Sequence, residues 1–360
     1  MPVNVLPTMP LKPLSRISPS RYSALRLCAL REIWTAGKQP PLLPVSPSAR
    51  LGMTAHKLLE LTFSGQLKDE ESMLHCWENE IRNHEFEMRN NILEKHLVPL
   101  ALNTSNYKVK QIMTFNIVRI LLREFNIQTK KVRKAETELW VQTKDEKIGG
   151  KIDSVKYADD GIYIIDYKTG AITDYFSNDN SVKEEYQEQL KIYAGLYYES
   201  HGVWPVKLIL IGLDKSEYNI PFNHEECLNL LNDAKSYFDK LNKLITSGLD
   251  STSFAVPSQA ACRYCVYRPA CKKYWTNREG NEQWPADFAG VVVEKRVLGN
   301  GLLKIVVENG EKKITIRGLS PERYPFLTNN IQEAMFCNLG RDTVQSYFKE
   351  TPMTTGYSLS

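Results

Sequence analysis

The chain has 360 residues, 42% of them hydrophobic and 24% charged, with a net charge of +4, a balance that suits a globular protein of two or three domains. No apolar run approaches the roughly 20 residues needed to cross a bilayer, and no charged start followed by an apolar stretch marks a secretory leader, so a cytoplasmic location without a membrane partner is expected. The positive charge is uneven: residues 1–60 carry eight Lys and Arg against Glu32 and Glu60, and residues 261–278 hold Arg263, Arg268, Lys272, Lys273 and Arg278 with no acid, which suits a polyanion as well as it suits a solvated basic face.

Residues 1–19 are rich in Pro and Ser and read as an extended segment. Ser20 is placed as the N-cap of a helix running through Trp34, with Tyr22, Leu25, Cys28 and Ala29 on one side. Four prolines between Pro40 and Pro47 break the chain, and Ser48 is placed as the cap of a second helix with Leu51, Ala55, Leu58 and Leu59 as its apolar stripe. His56 lies beside that stripe and, taken alone, reads as a packing or surface residue. Residues 66–128 form a charged helical insertion, with helices over about 69–97 and 105–126. A strand over Val132–Gln142 then places Glu136, Glu138 and Trp140 on one face.

Gly150–Gly170 is the chemical centre of the sequence. Apolar alternation on both sides of Asp159-Asp160-Gly161 gives a β-hairpin. If the turn is Asp159-Asp160, Asp153 stands opposite Asp166; if it is Asp160-Gly161, Asp153 stands opposite Lys168 and diagonal to Asp166. Either register puts all three on one face. Carboxylates directly opposed across a ladder repel each other. Two of them with a lysine suit a hard divalent cation bound through oxygen, the ammonium alongside.

Val182–Ser200 is expected to be a helix that brings Gln189 and Tyr193 together at a four-residue spacing, although Tyr186, Leu190, Tyr193 and Tyr197 also make a core stripe. A strand over Val206–Leu213 and a helix over His224–Ser247 follow. Cys262, Cys265 and Cys271 form a C-x2-C-x5-C cluster, which in a chain without secretory features points to a metal site. Cys28 is the choice for a fourth ligand, while Cys76, Cys227 and Cys337 read as packing residues. Four thiolates suit zinc or an iron-sulfur cluster equally. After Trp284 the pattern changes to short strands over Phe288–Val297, Leu302–Glu308, Lys312–Arg317, Ala334–Leu339 and Thr343–Lys349, as in a small β-barrel of OB or SH3-like kind.

Taken together, Gly150-x-x-Asp153, Asp166-Tyr-Lys168-Thr-Gly170, Gln189-x3-Tyr193 and the four cysteines resemble the RecB-type iron-sulfur branch of the PD-(D/E)XK nucleases, over roughly residues 15–280. That branch includes CRISPR-associated RecB-like exonucleases and nuclease domains of helicase-nuclease repair complexes. The resemblance implies an α/β fold with a restriction-endonuclease-like core, a mixed central sheet flanked by helices. It implies a nuclease domain over 20–280 and leaves 285–360 as a separate small barrel. His56, in Gly52-x3-His56, becomes a ligand for Mg²⁺ or Mn²⁺ beside Asp153 and Asp166. Lys168 becomes the residue that orients the attacking water, with Gln189 and Tyr193 positioning it or the DNA backbone. The family's early glutamate corresponds to Glu136 or Glu138, with Glu136 the better fit. Cys28, Cys262, Cys265 and Cys271 become ligands of a [4Fe-4S] cluster, with zinc as the alternative.

The resulting expectation is a metal-dependent DNA nuclease, an exonuclease acting on single-stranded or end-containing DNA in repair, recombination or defence. Its alternatives are a non-catalytic DNA-holding or scaffolding subunit of a helicase-nuclease or CRISPR-type complex and, less well supported, a zinc-stapled RNA-binding protein. No G-x4-G-K-[ST] signature occurs in the chain, so any helicase is expected to be a partner.

Overall fold

Two Ser-Pro pairs set the first helix boundaries. Proline is accepted at the first helical position because its missing N–H has no intrahelical partner there. Accordingly α1 (Pro19–Leu27) starts after Ser18 and α3 (Pro47–Phe63) after Ser46, whose side chain accepts from the Ala49 N–H. Both caps lie two residues before the serines chosen from the sequence. The single helix expected through Trp34 is two: Cys28, extended at φ −158° and ψ 99°, ends α1 and opens α2 (Ala29–Ala36). Periodicity could not register this break, because apolar residues are buried on both sides of it, Tyr22 and Leu25 before and Leu30, Ile33 and Trp34 after.

The structure is a computed structural model that describes residues 5–128, 135–173, 181–278, 281–310, 312–329 and 332–359. The helical insertion contains α4 (Glu70–Arg89), α5 (Leu100–Asn103) and α6 (Tyr107–Gln128). Next come β1 (Ala135–Gln142), β2 (Gly149–Ala158), β3 (Gly161–Lys168), α7 (Glu184–His201), β4 (Lys207–Gly212), β5 (Glu217–Asn219) and α8 (His224–Thr246). The first part of the strand expected from Val132 lies outside the described residues.

These five strands form a mixed sheet in the order β1-β2-β3-β4-β5, antiparallel except for the β3–β4 pair, which α7 connects. A helix between parallel strands packs back on the sheet. Here Leu190, Tyr193, Ala194 and Tyr197 of α7 share a core with Val155, Ile164, Leu208 and Leu210. On the other face Ile165, Tyr167 and Ile209 pack with Leu51, Leu58 and Leu59 of α3 and Phe115 and Val118 of α6. The result is a mixed α/β layering consistent with a restriction-endonuclease-like fold.

The hairpin register follows its turn. Ala158 pairs with Gly161 and Ser154 with Ile165, so Asp159-Asp160 form the turn and Asp153 comes opposite Asp166. Glycine is required at 161, where φ is +137° and a Cβ would lie 2.6 Å from Val206 Cγ1.

α9 (Gln259–Arg263) and α10 (Lys272–Asn277) flank the cysteine cluster. Beyond them β6 (Phe288–Val297), β7 (Leu303–Asn309), β8 (Lys312–Leu319), β9 (Glu333–Cys337), β10 (Gly340–Arg341), β11 (Tyr347–Lys349) and β12 (Thr355–Ser358) make a second sheet, ordered β10-β11-β8-β7-β6-β9-β12. Seven strands thus stand where five were expected, since the segment from Thr343 pairs only at its end and β12 is too short to read from sequence. No ladder joins β10 to β12 among the described residues. This sheet shares apolar core with the first, through Trp284, Ala289, Met335 and Cys337. No described helix is long and apolar enough to cross a membrane.

Candidate active site

β3 is apolar on both faces until its last residues, and the polar groups appear where its pairing with β2 ends while that with β4 continues to Lys168. The regular β2–β3 pairing stops at Ser154 and Ile165. One step further, the Asp153 carboxylate replaces a backbone partner, Oδ2 accepting the Tyr167 N–H at 2.9 Å. Asp166, 4% exposed, turns toward α7, where Gln189 Nε2 donates to its Oδ1 at 2.7 Å. The other end of the same amide, Gln189 Oε1, accepts from Lys168 Nζ at 2.8 Å. Gln189 therefore locks the second aspartate and the lysine to one helix position.

Lys168 Nζ also lies 2.9 Å from Asp166 Oδ2 and 4.5 Å from the ring centre of Tyr186. The ion pair is close but poorly aligned, since Asp166 Oδ2 is buried with no hydrogen-bond partner. A buried carboxylate oxygen without an aligned hydrogen bond is costly, and here the Lys168 ammonium offsets part of that cost. Burial, then the charge of Asp166, pushes the Asp153 carboxyl up to about 8, against opposing effects of the Tyr167 N–H and Lys168. A buried carboxylate oxygen that has an ammonium beside it but no aligned hydrogen bond, next to a carboxyl that resists ionisation, is an arrangement a divalent cation would relieve, so this donor set fits Mg²⁺ or Mn²⁺.

A prediction on pH follows. An acid whose pKa is raised by folding holds its proton more tightly in the native state, so its contribution is complete below the unfolded value of 3.8 and is lost as pH rises toward about 8. In chelator, the protein should lose stability across that window. Asp153→Asn should abolish the loss, equal the wild type near the low end, and exceed it at the high end by about 3 kcal/mol, discounted for the solvent that still reaches this half-buried side chain. Chemical denaturation at the two pH values checks this; parallel curves for both proteins would refute it.

Tyr193 is buried under the same pair. Burial, then Asp166 and Asp153, raise its phenol above the ordinary value, and its hydroxyl bonds the Ser18 side chain. Gly150 makes room for it, because a Cβ there would lie 2.9 Å from the Tyr193 hydroxyl and 3.0 Å from Pro19 Cδ.

The remaining expected groups are placed differently. His56 is exposed on α3, one turn after Gly52, whose Cα faces Lys110 and Thr169. Among the described residues no three His, Cys, Asp or Glu side chains are gathered closely enough to hold one metal ion, so His56, Asp153 and Asp166 do not close around a point. The two aspartates are held by Tyr167, Gln189 and Lys168 instead. Of the two glutamates in β1, Glu136 acts on Tyr157, away from the acid pair. Glu138 breaks the ladder: Thr137 pairs with Ser154 and Leu139 with Ile152, which leaves Glu138 opposite Asp153 with φ +53°. It raises Asp153 electrostatically and pairs with Lys151 at 3.0 Å. Geometry therefore favours Glu138, and a positive φ inside a strand leaves no trace in the alternation pattern.

Cys28, Cys262, Cys265 and Cys271 line one pocket, closed by Trp34, Arg31, Arg268 and Tyr274. Burial raises the Cys262 thiol and pushes Cys265 to about 12 and Cys271 to about 11, the nearby Cys28 adding to each. Cys28 reaches this pocket from the joint between α1 and α2 rather than from within a helix. Cys227 and Cys337 are buried elsewhere, and Cys76 is half-buried on α4.

Arg268 was read only as part of a basic run. It is 1% exposed, and its Nη1 donates to the carbonyls of Cys262, Arg263 and Cys265 at 2.9, 3.2 and 3.0 Å. Its Nε donates to Asp287 Oδ2 at 2.8 Å, and the same oxygen accepts from the Tyr274 hydroxyl at 2.9 Å. Asp287 Oδ1 in turn accepts the Asn338 N–H at 2.8 Å. The cysteine loop is thereby joined to the second sheet.

A family model described as the PD-(D/E)XK nuclease superfamily matches residues 16–272. Curated proteins give no match. Among solved structures, one titled "Crystal structure of SSO0001" is 17% identical, covers 62% of this chain and 95% of that chain, and superposes with a TM-score of 0.27, too low to carry an argument.

Proposed function

The chain belongs to the PD-(D/E)XK nuclease superfamily, and from that premise we propose that it is an Mg²⁺- or Mn²⁺-dependent DNA nuclease, an exonuclease working on single-stranded or end-bearing DNA. The observation that carries this reading is the Asp153–Asp166 pair, with Asp166 joined to Lys168 both by an ion pair and through Gln189. A scaffold would have no use for two opposed acids beside a lysine.

Asp153 and Asp166 would hold the metal, with Glu138 as the nearby extra carboxylate; His56, exposed on α3, would join only by a movement toward them. When bound, the metal would supply charge neutralisation at the scissile phosphate and a lowered pKa for water. Lys168 orients the attacking water and stabilises charge developing on the phosphate. Gln189 fixes the Lys168 rotamer against Asp166, and Tyr193 supports that floor from beneath. Residues 20–280 form the nuclease unit and 285–360 an attached one, with strand separation left to a partner.

The four pocket cysteines are assigned to a [4Fe-4S] cluster. Cys28, Cys262, Cys265 and Cys271 line one pocket with Arg31 and Arg268, which supports a shared ligand set, with zinc as the alternative. Protein purified without oxygen should be brown and carry about four irons and four sulfides per chain, with both lost in Cys265→Ser. One zinc and no iron would overturn the assignment.

The function is tested by anaerobic digestion of end-labelled single- and double-stranded DNA, with circular controls. Mononucleotides or short fragments should leave linear DNA only when Mg²⁺ or Mn²⁺ is added. Digestion in chelator, or none on any substrate, would overturn the reading; cleavage of circles would remove the exonuclease part.

A further inference from the structure

One cation beside this site has no role in the mechanism above. Lys110 projects from α6 toward α3, its Nζ 3.5 Å from where a side chain at Gly52 would begin, and Thr169 Oγ1 is 3.7 Å from the same point. Thr169 directly follows Lys168, so Lys110 borders the end of β3 where the candidate catalytic residues emerge. Lysine is rarely desolvated without an acid to pair with. Lys110 is half-buried and makes no ion pair or side-chain hydrogen bond among the described residues. Burial holds its ammonium below the ordinary lysine value. The surrounding lysines differ in this respect: Lys57 pairs with Glu60 at 2.9 Å and Lys168 with Asp166 at 2.9 Å.

A half-buried cation that the described residues leave without an acid is open to an anion from outside. A Cβ at Gly52 would lie in ordinary contact with Lys110 Nζ and Thr169 Oγ1, so the absence of a side chain there leaves both polar groups uncovered from the α3 side. On the nuclease reading, the anion that comes to this end of the sheet is a DNA backbone.

We propose that Lys110 binds a phosphate of the DNA strand next to the scissile one, with the Thr169 hydroxyl as a neutral companion, and so sets how the strand lies across the Asp153–Asp166 pair. This rests on the nuclease reading for the identity of the ligand. It assigns Lys110 to substrate binding and leaves the chemical step to Lys168.

The test compares wild type, Lys110→Ala and Lys110→Arg. Binding of a labelled single-stranded oligonucleotide is measured in chelator over a series of salt concentrations, and steady-state cleavage of the same oligonucleotide is measured with Mg²⁺. Removal of one phosphate contact should lower the slope of log K against log salt by about 0.7. It should raise KM about tenfold with kcat changed less than about twofold, as expected for lost uniform binding. Lys110→Arg should restore slope and KM. Lys110→Ala should melt at or above the wild-type temperature, because the ammonium it removes is uncompensated.

An unchanged slope, a fall in kcat with KM intact, or a failure of arginine to restore the slope would each overturn the proposal. So would a marked loss of stability in Lys110→Ala, which would make Lys110 structural. If wild type binds DNA but does not cleave it, the nuclease reading fails while the salt slope still decides Lys110; if it binds no DNA, both fall.

Discussion

Lys168→Ala should lower the rate of metal-dependent cleavage about 10³-fold, the scale of removing one preorganised charge from a developing anion, while DNA binding in chelator stays near wild type. Lys168 is held by Asp166 and by the Gln189 amide and lies over Tyr186, so its charge is fixed before substrate arrives. Asp166→Asn should cause a loss of similar size. It keeps an acceptor for Gln189 and so spares the fold. Single-turnover cleavage of end-labelled DNA reads both variants, with melting curves as the control for folding. Undiminished cleavage by the two would remove this hairpin from the chemistry.

Arg268→Ala should lower the unfolding free energy by about 3–5 kcal/mol, the cost of leaving a buried charge without its partner. Asp287 is almost wholly buried. Burial pushes its carboxyl up, but Arg268 and the Asn338 N–H outweigh that and hold it below the ordinary value. Removing the guanidinium strands this anion and also frees the carbonyls of Cys262, Arg263 and Cys265. The cysteine pocket should then loosen together with the contact to the second sheet. Chemical denaturation followed through the buried Trp275 and Trp284 measures the loss, and a change under about 1 kcal/mol would show that the knot is dispensable.

Elements with long, regular alternation were legible in advance. α7, α8, β3, β4 and β6 stand within about two residues of their expected bounds, and all but the mostly exposed β6 bury a face over several positions. Short elements were not, as β5, β10 and β12 are held by ladder partners rather than by any pattern of their own. The first and third helices start after Ser18 and Ser46 rather than after Ser20 and Ser48, because Ser18 and Ser46 each stand directly before a proline that suits the first helical position.

The candidate site divides along the same line. The sequence by itself determined that Asp153, Asp166 and Lys168 share a face, since strand side chains alternate with a period of two and either turn preserved that parity. It also determined that Gln189 and Tyr193 stand one helical turn apart. Only the tertiary structure decided that the turn is Asp159-Asp160, that one glutamine amide spans both Asp166 and Lys168, and that Glu138 rather than Glu136 faces the acids. It placed Cys28, the expected fourth cysteine, in one pocket with Cys262, Cys265 and Cys271, and turned Arg268 inward to Asp287. Periodicity fixes the direction a side chain takes from its own element. Which partner it meets depends on how elements far apart in the chain pack, and on local breaks such as Cys28 and Glu138 that packing tolerates and periodicity does not record.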